Sequence, residues 1–191
     1  MNIQKFTQKS MEAINSTEKL AYEYGNQEIE QEHLLVALLT QEDGLISKLI
    51  EKMEIDKEHF TENAISKLAA RVKVSGAGQV FVGKDLNNVL IHAEDEAKQM
   101  GDEYVSVEHL FLALLKYPNK AMKELIREYG LTRDRFLSAL ATIRGNQRVT
   151  SDNPEATYDT LEKYGYDMVE RARQQKLDPV IGRDAEIRNV V

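Results

Sequence analysis

Ala21-Tyr22-Glu23-Tyr24-Gly25-Asn26-Gln27-Glu28-Ile29-Glu30-Gln31-Glu32-His33-Leu34-Leu35-Val36-Ala37-Leu38-Leu39 returns 76 positions later as Ala97-Lys98-Gln99-Met100-Gly101-Asp102-Glu103-Tyr104-Val105-Ser106-Val107-Glu108-His109-Leu110-Phe111-Leu112-Ala113-Leu114-Leu115. Eight of the 19 aligned positions are identical: Ala21/Ala97, Gly25/Gly101, Glu32/Glu108, His33/His109, Leu34/Leu110, Ala37/Ala113, Leu38/Leu114 and Leu39/Leu115. The register continues, with Leu49-Ile50 meeting Leu125-Ile126 and Phe60 meeting Phe136. Two copies are too few for an open solenoid. They indicate a duplicated helical half-domain whose copies bury their apolar faces against each other, and the seam between them is where a binding groove is expected.

The spacing inside each copy is helical. Phe6, Ser10, Ala13/Ile14, Thr17, Ala21 and Tyr24 form one stripe that stops at Gly25, and Leu86, Val89/Leu90, Ala93, Ala97 and Met100 form another that stops at Gly101. Asp85 is placed to cap the second of these helices. Gln31–Thr40 and Val107–Tyr117 are almost wholly apolar after a Glu-His pair, which predicts two central helices buried on most sides. Ser106 is the expected N-cap of the latter, with Glu108 in the first turn. Third helices are predicted from near Asp43 and near Pro118, with the proline in the first turn. Fourth helices follow Asp56 and Thr132. The result is an all-α domain over residues 1–145 in two pseudo-symmetric four-helix repeats, 1–73 and 80–145. The glycine-bearing stretch Val74–Val80 reads as a flexible connector. Residues 146–157 read as a polar, turn-rich linker, and 158–191 as a short helical tail with no core of its own.

A net charge of −7 argues against a nonspecific nucleic-acid binder. No apolar run approaches the roughly 18 residues needed to cross a membrane, and Met1–Phe6 lacks the apolar stretch of a signal peptide. The chain has no cysteine, which excludes disulfides and thiol chemistry and fits a reducing compartment; a cytoplasmic location is expected. No P-loop, His-Glu-x-x-His or Gly-x-Ser-x-Gly pattern is present. The duplicated Glu-His pairs at His33 and His109 are explained more simply by structure than by metal binding or catalysis. Neither catalytic residues nor metal ligands are therefore expected, and the residues alone describe a helical interaction module.

The Glu-His-Leu-Leu…Ala-Leu-Leu repeat resembles the double Clp N-motif that opens the Clp family of AAA+ unfoldases. Leu161-Glu162-Lys163-Tyr164-Gly165-Tyr166-Asp167, followed by Lys176-Leu177-Asp178-Pro179-Val180-Ile181-Gly182-Arg183-Asp184, resembles the entry into that family's first nucleotide-binding domain. The Leu-Glu-Lys-Tyr-Gly stretch, with Gly101–His109, is similar to the disaggregase branch more than to the ClpC or ClpA branches. The resemblance implies a homohexameric parent chaperone, driven by ATP and Mg, that recovers aggregated polypeptides after heat stress together with the DnaK system. This chain would be its noncatalytic substrate-recruiting N-terminal domain, without a cofactor of its own. By the same resemblance Thr7, Asp102 and Glu108 handle unfolded substrate, and Val180, Ile181 and Gly182 lie against the adenine of the parent's nucleotide. The ClpC-like branch implies an alternative, in which Glu32 and Glu108 hold a phosphorylated arginine or an adaptor protein.

Overall fold

The computed structural model describes residues 5–75 and 78–154. The expected helical tail, and with it Val180, Ile181 and Gly182, lies outside the described residues. Within them the chain forms eight helices: α1 (Gln8–Glu23), α2 (Gln31–Leu39), α3 (Leu45–Lys52), α4 (Lys57–Ala69), α5 (Lys84–Gln99), α6 (Val107–Lys116), α7 (Lys120–Tyr129) and α8 (Arg133–Arg144). The all-α, two-by-four arrangement expected from the repeat is the one observed.

Local chemistry accounts for most helix ends. Thr7 caps α1 by accepting the Ser10 N–H at 3.2 Å, and Asp56 and Thr132 cap α4 and α8 in the same way. Gly25 and Gly101 leave α1 and α5 at φ +70° and +72°, a left-handed turn that glycine makes without a steric penalty. Two expected starts differ. The N-cap of α5 is Gly83, with Asp85 inside the first turn, because a carboxylate from the other repeat takes the capping role. The N-cap of α7 is Asn119, which accepts the Met122 N–H at 3.0 Å, so Pro118 precedes the helix. A side chain able to accept a hydrogen bond outcompetes proline's fixed φ as the start signal.

All nine residues of α2 are buried, as are Val107–Leu114 of α6. These two helices form the centre, against which α1, α3, α4, α5 and α8 lay their apolar stripes. Phe111 of α6 stacks on Phe136 of α8 with ring centroids 4.7 Å apart.

The repeats are also stitched by a feature that helical periodicity does not reveal. Two short strands, β1 (Glu28–Ile29) and β2 (Phe81–Val82), pair in parallel, with Ile29 opposite Val82. Adding 76 to Phe6 gives Val82 and to Ile29 gives Val105, and Phe6 is bridged to Val105 in parallel. Each repeat therefore lends the residue before its first helix to the other repeat's pre-α2 segment. The same symmetry relates Thr7 N–H→Val105 C=O (2.9 Å) to Gly83 N–H→Ile29 C=O (2.8 Å).

Residues 146–154, read from the sequence as the start of a linker, do not leave the surface. They run back across the seam, with Val149 fully buried.

Candidate functional site

The chemistry-bearing residues gather at the N-termini of the two central helices. In repeat one, the Glu30 N–H donates to His33 Nδ1 at 2.9 Å. That leaves the proton on Nε2, which lies 2.9 Å from Asn26 Oδ1. In repeat two, the Ser106 N–H donates to His109 Nδ1 at 2.8 Å, and Nε2 donates to Asp102 Oδ2 at 2.7 Å. Both histidines are fully buried and serve as struts that tie a helix start to the preceding turn. His33 is pushed down to about 4 by its burial and by the nearby Arg71. The duplicated Glu-His pair is thus structural in both copies.

The glutamates beside them each hold an arginine. Arg71 Nη1 bonds Glu32 Oε2 at 3.1 Å while Nη2 reaches Glu28 Oε1 at 2.9 Å. Asn119 Nδ2 donates to the other oxygen of Glu32 at 3.0 Å, across the seam. In repeat two, Arg144 Nη1 bonds Glu108 Oε2 at 3.1 Å, and Nη2 bonds Asp102 Oδ1. Arg71 and Arg144 were missed at the level of sequence because they lie 73 residues apart rather than 76, so the repeat register does not align them. The available signal was an arginine near the end of each fourth helix.

The two copies differ in exposure and charge. The Glu28 side chain is 43% exposed and Arg71 22%, whereas Asp102 and Glu108 are at 0% and Arg144 at 3%. Asn26 of repeat one is replaced by Asp102, which turns a neutral strut into an ionised one. Burial opposes the charge on Asp102, but His109, the Val149 N–H and Arg144 outweigh it and hold the carboxyl below its usual range. Glu108 Oε1 is buried without a hydrogen-bond partner among the described residues. It is a spare acceptor inside an otherwise saturated cluster.

The three residues expected to handle substrate come together around the 102–106 turn. Asp102 and Glu108 share Arg144, and Thr7 donates its N–H to Val105 within that turn. All three are buried, and each already serves the fold, since Thr7 caps α1 and the two acids neutralise Arg144. Glu32 sits in the equivalent place of the other repeat, where it holds Arg71 instead. A surface cleft of about 710 Å³ is lined by Met53, Arg135 and Ala139 among others and includes none of these four residues. His92 and Glu96 line a separate cleft of about 240 Å³ beside α5.

A duplicated helical domain, with its buried polar clusters spent on its own helix starts, defines a two-repeat helical module. The chain belongs to the family of the Clp repeat (R) N-terminal domain, which matches residues 5–129. It is 50% identical to the chaperone protein ClpB of Nitratidesulfovibrio vulgaris over its whole length, covering 23% of that protein. It is 43% identical to ClpB of Bacillus cereus, again over the whole chain and covering 22% of the relative. The chain thus spans less than a quarter of the length of the curated relatives it matches. In fold it is similar to the Hsp104 N-terminal domain from Candida albicans (TM-score 0.70, 24% identity, 79% of this chain and 99% of that one). It is also similar to a ClpV N-domain solved in complex with a VipB peptide (TM-score 0.60, 19% identity, 73% and 86%).

Proposed function

We propose that this chain is the substrate-recruiting N-terminal domain of an ATP-dependent disaggregase, noncatalytic by itself, which holds exposed segments of unfolded or aggregated polypeptides. The observation that carries the reading is the 50% identity to a ClpB chaperone over the full 191 residues. The parent would be a cytoplasmic homohexamer, multiplying weak individual contacts by avidity. ATP and Mg would belong to its downstream domains, and the DnaK system would be its partner in recovery from heat stress. Neither nucleic acid nor membrane is a partner in this reading. Among the described residues no helix is long and apolar enough to span a bilayer.

Thr7, Asp102 and Glu108 are assigned to substrate handling, each drawing on the seam where α1 meets the 102–106 turn. That a ClpV N-domain of the same fold has been solved with a peptide supports the use of this scaffold for polypeptide ligands. The test has two arms. Reactivation of a heat-aggregated reporter by the full-length parent is compared with and without residues 1–145. Binding of permanently unfolded, carboxymethylated α-lactalbumin to the 191-residue chain is followed by anisotropy. Equal reactivation by both forms, with no binding, overturns the reading.

A second reading has one observation in its favour. Glu32 and Glu108 each hold a guanidinium, Arg71 and Arg144 respectively, which is the chemistry a phosphoarginine or adaptor-docking site would use. A ligand would have to displace the resident arginine, more easily at the Glu32 site, where Arg71 is partly exposed. Titration with free phosphoarginine, read as NMR shifts at Glu32 and Arg71, decides it.

A further inference from the structure

The segment after α8 behaves as a bound peptide. Residues 147–153 are neither helix nor strand. Val149 is buried among exposed neighbours, at 0% exposure. Its N–H donates to Asp102 Oδ1 at 2.9 Å, and its C=O accepts the Glu103 N–H at 2.8 Å. Three residues on, the Asp152 C=O accepts the N–H of Gln8, the first residue of α1, at 2.7 Å. The Gln8 side chain adds a bond to Asp152 Oδ2 at 3.3 Å. The Gln147 C=O accepts from Arg144 Nε at 2.9 Å. Every anchor except Val149's side chain and Asp152's carboxylate is a main-chain group of the strap, so the cleft beneath it reads backbone and one small apolar side chain.

Repeat one shows that the fold does not require this arrangement. The equivalent exit segment after α4 bonds the domain through the Val72 C=O and the Val74 N–H. Its apolar side chains stay outside, at 82% and 39% exposure. Among the described residues, an exit-segment apolar side chain is fully buried only in the copy that carries Asp102.

The geometry points to this cleft as the polypeptide-binding site of the domain, with residues 147–152 as its resident occupant. An extended segment of an unfolded chain, bearing a small apolar residue, displaces the strap and takes over the same contacts on Asp102, Glu103 and Gln8. This inference rests on the substrate-recruiting reading above and says how that site is occupied and regulated. It places Asp102 directly under the strap and Thr7 next to Gln8, the residue that anchors the strap's far end. It also accounts for breadth of recognition, since main-chain hydrogen bonds carry no side-chain information. Because the strap competes for its own site, the apparent affinity for substrate is lowered by the fraction of time the cleft is closed.

Two changes move that fraction in opposite directions. Val149→Ala removes buried carbons from the occupant. It should open the cleft and tighten binding of carboxymethylated α-lactalbumin roughly three- to tenfold. Gln8→Cys with Asp152→Cys places a thiol pair across the strap in a chain that has no other cysteine, and the oxidised form locks the strap down. Anisotropy titration of the 191-residue protein should show binding at least roughly tenfold weaker when this pair is oxidised than when it is reduced. Equal binding by the oxidised and reduced forms overturns the inference and leaves the recruiting role standing. Absence of binding in every form, Val149→Ala included, overturns the recruiting role itself. Should Val149→Ala lose its helical circular dichroism, the disulfide comparison alone decides.

Discussion

Glu30 of repeat one accepts the N–H of Asp85 in repeat two at 3.0 Å, and so caps the first helix of the other copy. Its second oxygen accepts the Gln31 N–H at 3.0 Å, at the start of its own α2. A single buried carboxylate thus holds two helix N-termini, where a negative charge complements both dipoles. It displaces the expected cap, Asp85.

This arrangement depends on Gly83. A Cβ there would fall 2.1 Å from Glu30 Oε2 and 2.8 Å from Glu28 Oε2. The Glu30 carboxylate is held by two backbone donors and can move aside only by giving up one of them. Gly83→Ala should therefore destabilise the domain by about 1–3 kcal/mol despite its ordinary φ of −72°. Urea unfolding followed by circular dichroism checks this, and an unchanged midpoint would contradict it.

Glu30 and His33 predict opposite pH dependences. Burial, opposed by the Gln31 and Asp85 N–H bonds, pushes Glu30 up to about 7. Between pH 4.5 and 7 the folded state therefore holds a proton that the unfolded state has lost, and stability falls as pH rises. His33, at about 4 when folded, works the other way: below its unfolded value of 6.5 the unfolded state gains the proton, and stability falls as pH drops. From about pH 4.5 to 6.5 the two slopes offset each other. Glu30→Gln removes one of them. Its melting temperature should drop on acidification from about pH 6.5 to about pH 5 more steeply than the wild type's, by an amount corresponding to about 1–2 kcal/mol.

The Arg144 cluster should respond asymmetrically to its members. Arg144→Ala strips the cation from two fully buried carboxylates and should cost about 3–5 kcal/mol. Asp102→Asn reproduces the neutral Asn26 of repeat one, retains an acceptor for His109 Nε2–H, and leaves Arg144 with Glu108. It should cost about half as much. Chemical denaturation of the two variants side by side gives the ranking, and equal losses would contradict it.

Thr7 permits a separation of structure from recognition. Thr7→Ala loses the α1 cap and about 1 kcal/mol, whereas Thr7→Ser keeps the hydroxyl. If binding of the unfolded reporter follows stability, falling with Ala and recovering with Ser in the same proportion, the hydroxyl acts through the cap. A binding loss larger than the stability loss assigns it contact with substrate.

The duplication, the eight helices and the buried character of α2 and α6 were all legible in residue order, because apolar periodicity and short-range caps act over roughly three to seven residues. Asp56 and Thr132 illustrate this: each caps the helix it immediately precedes. The candidate site was legible only in part. Glu32, Glu108, His33 and His109 stand out by repetition, but their surroundings include Arg71 and Arg144, which fall out of register by three residues. The reciprocal pairing of Ile29 with Val82 and of Val105 with Phe6 leaves no trace in strands only two residues long.

Residue order therefore decided the fold class and the family, through patterns that each helix satisfies within itself. Tertiary structure alone decided which carboxylate caps α5, that the Asp102 cluster is closed while its Glu28–Arg71 counterpart stays open, and that the segment after α8 lies in the seam. The physical reason is common to all three. A buried polar group must find its partner wherever the fold brings one within about 3 Å, and that distance bears no relation to separation along the chain.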